Sequence, residues 1–307
     1  MSSDLVILLT AGLTATACGL LGPFLVLRRN ALMSDAVAHA VLPGIVVAYL
    51  IFQTRAPLPI VAGAAVFGII CVLGIDALRG TGLVKWDAAI ALVFPALFAL
   101  GVIGISTYAT GVHLDLDSTI YGEIAFAPFL SLDVLGTELP RTVVLGGAAV
   151  VANLAFVALL WRKLKTTSFD PQYAQAVDVS PARLSRMLLV AVAITAVISF
   201  ESVGAILVVT LLIVPAAAAH LLTDRLTAMI AITVAIGWVS AIGGLSFASA
   251  ADASIAGMMG VVAAGCFVLA LLAGPRYGLA ARAIGRRRAG RRARAALGAA
   301  GEGGAAA

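Results

Sequence analysis

Residues 5–52 read LVILLTAGLTATACGLLGPFLVLRRNALMSDAVAHAVLPGIVVAYLIF, two long apolar runs separated by Arg28-Arg29-Asn30-Ala31. The first run, 5–27, holds 23 residues without a charge, and a helix of about 20 such residues crosses the hydrocarbon core of a bilayer. The second, 32–52, is interrupted only by one acid, Asp35, and one imidazole, His39. A pair of membrane helices is therefore expected, and Met1-Ser2-Ser3-Asp4 lacks the basic segment of a cleaved signal peptide.

The rest of the chain repeats the pattern. Its 307 residues are 62% hydrophobic and 11% charged, with a mean hydropathy of +1.10, which leaves no polar face for a soluble domain. Further apolar runs lie at 57–78, 88–108, 141–161, 184–201, 203–222, 227–248 and 254–274, which makes about nine spans. They are long and continuous rather than alternating in ten-residue pieces, so helices are expected and not a barrel, because backbone groups in lipid must pair within their own segment. The fold class is an all-α polytopic bundle, with residues 1–278 as the membrane domain and 279–307 as a basic, Ala- and Gly-rich tail expected to be disordered.

Charge gives an orientation. With the N-terminus outside, all 20 Lys and Arg residues except Arg55 and Arg141 fall in inner loops or the tail, as the positive-inside rule requires. The C-terminus is thus expected in the cytoplasm. The net charge of +5 resides in that tail, where it suits anionic membrane lipids rather than nucleic acid. Cys18, Cys71 and Cys266 are scattered through spans without CxxC spacing and read as small buried hydrophobes.

Asp35 and His39, at i and i+4, share one helical face about 6 Å apart along the axis. Ionisable groups inside spans default to functional sites. Carboxylate with neutral imidazole suits manganese, iron or zinc. Two ligands hold no metal selectively, but a symmetric dimer brings two Asp and two His to one axis. Two other readings stand beside this one: Ser34 or Asp35 caps the helix, or His39 makes an interhelical hydrogen bond. Pro43 and Gly44, one turn on, are expected to loosen the helix and open space beside the pair. Glu201, His220, Asp224, Asp252 and Asp76 are further ionisable groups in or near spans.

Two connections are long. The outer one, 109–140, carries Asp115, Asp117, Glu123, Asp133 and Glu138 and no Lys or Arg; it reads as an acidic mouth for cations or a basic partner, or as a solvated loop with a short re-entrant or surface helix. His113 within it reads as a surface histidine. The inner one, 162–186, contains FDPQYAQAVDVSP, where Asp170 before Pro171 forms a helix start and Ser180-Pro181 the expected stop.

LGPFLVLRRNALMSDAVAHAVLPGIVVAYL, TGLVKWDAAIALVFPALFALGV, HLDLDSTIYGEIAFAPF, FDPQYAQAVDVSP and ESVGAILVVTLLIVPAAAAHLLTDRL occur in this order. Together they resemble the membrane permease of ATP-binding-cassette importers for manganese, zinc and iron, in the bacterial plasma membrane. The resemblance covers the chain to about Gly278 and implies a fold similar to the permeases for siderophores and cobalamin. It implies Asp35 and His39 as ligands for transported Mn2+, with Zn2+ or Fe2+ as alternatives, and no permanent cofactor. Residues 169–179 become a coupling helix for cytoplasmic ATP-binding subunits, which hydrolyse the ATP, since this chain has no GxxxxGK[ST] loop. Other implied partners are an external metal-binding lipoprotein or periplasmic protein and a second permease, identical or homologous. Asp178 stands where relatives carry Gly, which leaves the end of the coupling helix open, and His220 stands where they more often carry another residue. A proton-coupled secondary carrier and an importer of organic metal complexes remain as alternative functions.

Overall fold

The computed structural model describes residues 2–53, 57–108, 124–129, 131–134, 137–274 and 278. Among them, nine helices are long and apolar enough to cross a membrane. They are α1 (Ser3–Leu27), α2 (Leu32–Phe52), α3 (Pro57–Gly80), α4 (Trp86–Tyr108), α5 (Arg141–Phe169), α7 (Pro181–Val203), α8 (Ala205–Leu222), α9 (Leu226–Ala251) and α10 (Ile255–Ala273), and between α5 and α7 lies the short α6 (Pro171–Ala176). The chain is a multi-pass integral membrane protein. Segment 279–307, expected to be a disordered tail, lies outside the described residues.

The bundle is built around α1, buried along most of its length and packed against α5, α8 and α9. Lipid offers no hydrophobic drive for helix association, so close packing and hydrogen bonds must supply it. Thr10 and Thr142 hydroxyls meet at 2.9 Å, Asn153 Nδ2 donates to the Ala17 carbonyl at 3.0 Å and to Thr195 Oγ1 at 2.9 Å, and Trp238 Nε1 donates to Thr16 Oγ1 at 3.1 Å. These bonds tie α1 to α5 and α9, and α5 to α7.

Helices α2, α3 and α4 form a second group that meets the first chiefly through α7. Here backbones nearly touch: a Cβ on Gly44 would lie 2.5 Å from the Gly63 carbonyl oxygen, and one on Gly101 would lie 2.8 Å from Pro43 N. Pro43 and Gly44 therefore do not open space beside the Asp35–His39 pair. They close α2 onto α4 and α3, and α2 runs unbroken through both.

Basic side chains gather at one pole. Arg28 at the end of α1 donates to Thr167 and Ser168 at the end of α5. Arg186 near the start of α7 pairs with Asp76 near the end of α3 at 2.7 Å, and the Arg79 guanidinium lies 4.9 Å over the Trp86 ring. At the opposite pole, the connection expected as a loop with a short helix holds a 3-10 turn, Ile124–Phe129, and an antiparallel hairpin, β1 (Ser131–Val134) with β2 (Thr137–Pro140), in the register Leu132 opposite Leu139. His113, Asp115, Asp117 and Glu123 lie outside the described residues.

Candidate metal site and partner-facing helix

Asp35 and His39 sit in the first two turns of α2, yet that helix begins within the bundle rather than at its edge. Cys71 Sγ donates to the Ala36 carbonyl at 3.8 Å, and Cys71 is nine residues short of the end of α3, about 13 Å along the axis. A Cβ on Gly68 would touch Val37 and the mid-helix Ala193 of α7, each at 3.5 Å. The pair therefore lies deep in the bundle.

The capping alternative does not hold. Ala31 is the N-cap of α2 and no side chain caps it, while Ser34 Oγ donates back to the Ala31 carbonyl at 2.8 Å. Asp35 and His39 instead face a cavity of about 300 Å³ lined also by Phe98, Phe200, Ile206 and Thr210. His39 Nε2 is 3.8 Å from Asp35 Oδ1, with the two side chains 49% and 52% exposed. That separation is longer than a hydrogen bond, so both groups keep lone pairs for a shared ligand. The imidazole is held by two rings of α4, stacked on Phe94 at 5.6 Å and 25° and met edge-on by Phe98 at 5.8 Å and 85°. Among the described residues no cluster of three His, Cys, Asp or Glu side chains forms. One copy thus offers, among the described residues, two candidate ligands and no closed coordination shell.

The cavity reaches the junction of α7 and α8, where Gly204 alone separates the helices with φ 82° and ψ 156°, a backbone conformation that favours glycine. Glu201, one residue after Phe200, lies in α7 with its side chain outside the described residues. The other ionisable groups do not join the pair: Asp76 is bound to Arg186, Asp252 ends α9 in the left-handed region at φ 50°, and His220 lies in the last turn of α8. Cys18 and Cys71 are buried and unbridged, and Cys266 is partly buried. Phe94 and Phe98 are site residues that the chemistry of the sequence did not single out; their i and i+4 spacing in VFPALF was the available signal.

At the basic pole, α6 starts as expected: Asp170 Oδ1 accepts from Tyr173 N at 2.9 Å, with Pro171 in the first turn. It stops differently. Val179 N donates to the Ala174 carbonyl at 2.9 Å and Asp178 N to that of Gln175 at 3.1 Å, a Schellman closure that needs a left-handed residue at Asp178, observed at φ 59°. Ser180-Pro181 does not end α6 but begins α7, Ser180 Oγ accepting from Arg183 N. Phe169, Tyr173 and Val177 remain about half exposed beside Arg162 and Lys165, with which Phe169 and Tyr173 line a groove.

The sequence profile of the ABC 3 transport family matches residues 5–274. The manganese transport system membrane protein MntD of Bacillus subtilis is 40% identical over 280 residues, covering 91% of this chain and 95% of the relative. The zinc transport system membrane protein TroD of Treponema pallidum is 42% identical over 278 residues, 91% of this chain and 76% of the relative. Among solved structures, PsaBC from Streptococcus pneumoniae in complex with Fab superposes with a TM-score of 0.74 at 28% identity, over 88% of this chain and 91% of that one.

Proposed function

The chain belongs to the ABC 3 transport family, and from that premise we propose that it is the permease of an ATP-driven importer of divalent transition-metal ions, manganese ahead of zinc or iron. The observation that carries this reading is the Asp35–His39 pair opening on a cavity inside the bundle. Carboxylate and imidazole form a hard and borderline ligand set, and relatives named for manganese and zinc transport support both ions as cargo. The cavity of about 300 Å³ lies at the lower end of the range for drug-sized ligands, about 300 to 1,000 Å³, so the ligand set rather than the volume supports a metal ion as cargo.

Four further assignments complete the proposal. Residues 1–278 form the transport domain, with the N-terminus outside and the C-terminus in the cytoplasm, so that the basic pole faces inward. A second permease copy, identical or homologous, supplies the remaining ligands. Helix α6, within residues 169–179, docks on a cytoplasmic ATP-binding subunit that performs the hydrolysis; the exposed Phe169, Tyr173 and Val177 support this surface. An external solute-binding protein delivers the metal at the hairpin pole. The chain itself then binds and releases: Asp35 and His39 replace part of the ion's water, Phe94 and Phe98 fix the imidazole, and closure or opening of the two poles sets the direction.

The test is ATP-driven uptake of radioactive manganese into proteoliposomes containing this chain, its ATP-binding subunit and its binding protein. Asp35→Ala and His39→Ala should each lower uptake by more than about tenfold, the loss expected when a metal-site group is removed. Parental uptake in both variants rules out the site. Uptake by the chain alone, without the ATP-binding subunit, would instead identify a secondary carrier.

A further inference from the structure

Helix α6 and the Asp35–His39 pair belong to different parts of the bundle, and two arginine contacts connect them from either side of α6. On the entry side, Arg28 Nη2 donates to Thr167 Oγ1 at 2.7 Å and Arg28 Nε to Ser168 Oγ at 3.2 Å. Those hydroxyls lie in the last turn of α5, immediately before Asp170 caps α6. Arg28 itself stands in the elbow between α1 and α2, which is fixed by Asn30 N donating to the Leu25 carbonyl at 2.9 Å and by Arg29 at φ 57°. This elbow leads directly into the first turn of α2, where Asp35 lies. Burial draws the Arg28 guanidinium down to about 10, which still leaves it charged at neutral pH.

On the exit side, α7 begins four residues after α6 ends, and in its second turn Arg186 Nε donates to Asp76 Oδ2 at 2.7 Å. Asp76 lies on α3, whose Cys71 and Gly63 touch α2 at Ala36 and Gly44. A guanidinium bonded to fixed oxygens transmits direction as well as attraction, whereas small residues let helix backbones approach closely without interlocking side chains.

We propose that Arg28 and Arg186 are positioning residues that gear α6 to the metal pair. Displacement of α6 moves the end of α5 and the start of α7 together. Arg28 passes the first movement to the elbow that carries α2, and Arg186 passes the second to α3, so that Asp35 and His39 shift relative to Phe200 and Ile206 on the other wall of their cavity. This inference rests on the ATP-driven reading given above and concerns how the chain uses the energy, not which ion it carries.

The experiment measures manganese ions imported per ATP hydrolysed by the complete transporter in proteoliposomes. Arg28→Gln and Arg186→Gln should each lower this ratio about fivefold while hydrolysis stays within about twofold of the parent, an effect within the range of residues that modulate coupling without touching a ligand. The double exchange Asp76→Arg with Arg186→Asp should return the ratio to at least half the parental value. A merely structural role would reduce uptake and hydrolysis together, through less assembled transporter, and leave the ratio unchanged; that result overturns the proposal. So does a parental ratio in both glutamine variants, or a double exchange that melts like the parent and remains uncoupled. Absence of ATP-driven uptake by the parent would remove the functional reading itself, and the gearing with it.

Discussion

Two parts of the bundle solve the same packing problem by different means. Around α1, hydroxyl, amide and indole groups cross from helix to helix, so that Thr142, Asn153 and Trp238 each hold α1 in a fixed rotation and height. In the group α2, α3 and α4, contact comes mainly from glycines laid against backbone, Gly44 on Gly63 and Gly101 on Pro43, beside the long bond from Cys71 Sγ to the Ala36 carbonyl; α1 uses such a glycine too, Gly22 on the Leu212 carbonyl. The first arrangement adds directional bonds that break if a helix slides; the second relies more on dispersion contacts, each of them small. Asp35 and His39 are carried by the second. On the proposed reading, the metal pair thus belongs to the part with fewer directional bonds to the frame around α1.

Three substitutions test this contrast. The largest effect belongs to Gly44→Val: its side chain meets the Gly63 carbonyl and Ala64, so about 3 kcal/mol of stability should be lost, together with metal uptake, because α2 is displaced. If uptake persists in a folded Gly44→Val protein, the close approach of α2 to α3 does not set the site. Asn153→Leu comes next. It removes the bonds to Ala17 and Thr195 and should lower thermal stability by about 1 to 2 kcal/mol, since such membrane hydrogen bonds are individually modest. Uptake per folded molecule should be unchanged, and a marked loss would show that the frame is not passive. The smallest change is Asp178→Gly, which relieves the left-handed residue closing α6 and should stabilise by about 0.5 to 1 kcal/mol, visible as slower proteolysis of 169–179 with transport intact.

The spans were legible in the sequence because length and unbroken apolarity are all that a bilayer demands. The expected runs at 5–27, 32–52, 203–222 and 227–248 coincide with α1, α2, α8 and α9 to within a few residues. Errors fell where polarity and helicity part company. Helix α5 continues through the charged Arg162-Lys163-Leu164-Lys165 to Phe169, because a helix leaving the membrane needs no apolar residues. Ser180-Pro181 carries signals of both a stop and a start, and only the Asp178 turn decides between them. The hairpin 131–140 had too few residues for a period to show.

The candidate pair was legible because acid and imidazole are scarce in an apolar chain, and its spacing defined a shared face. What could not be read was depth: that Ala36 and Val37, in the second turn of α2, lie level with Cys71 and Ala193 depends on contacts between distant segments. The same holds for Arg28 with Thr167, separated by 139 positions, and Asp76 with Arg186. Each of those residues looked like an ordinary loop charge or helix end until its partner was known.

The deep start of α2 has an electrostatic consequence. A helix presents roughly half a positive elementary charge at its first turn, and here the cavity lined by Asp35 and His39 lies beside that turn. Asp35, within the same turn, brings one full negative charge, so each copy contributes about half a negative charge in total. In the proposed dimer, two facing copies would offer about one negative charge against the two positive charges of a divalent ion. A site loaded in that way would stay net positive. On the proposed function, such a site would receive the ion without becoming a trap, and release would need only the opening of a path.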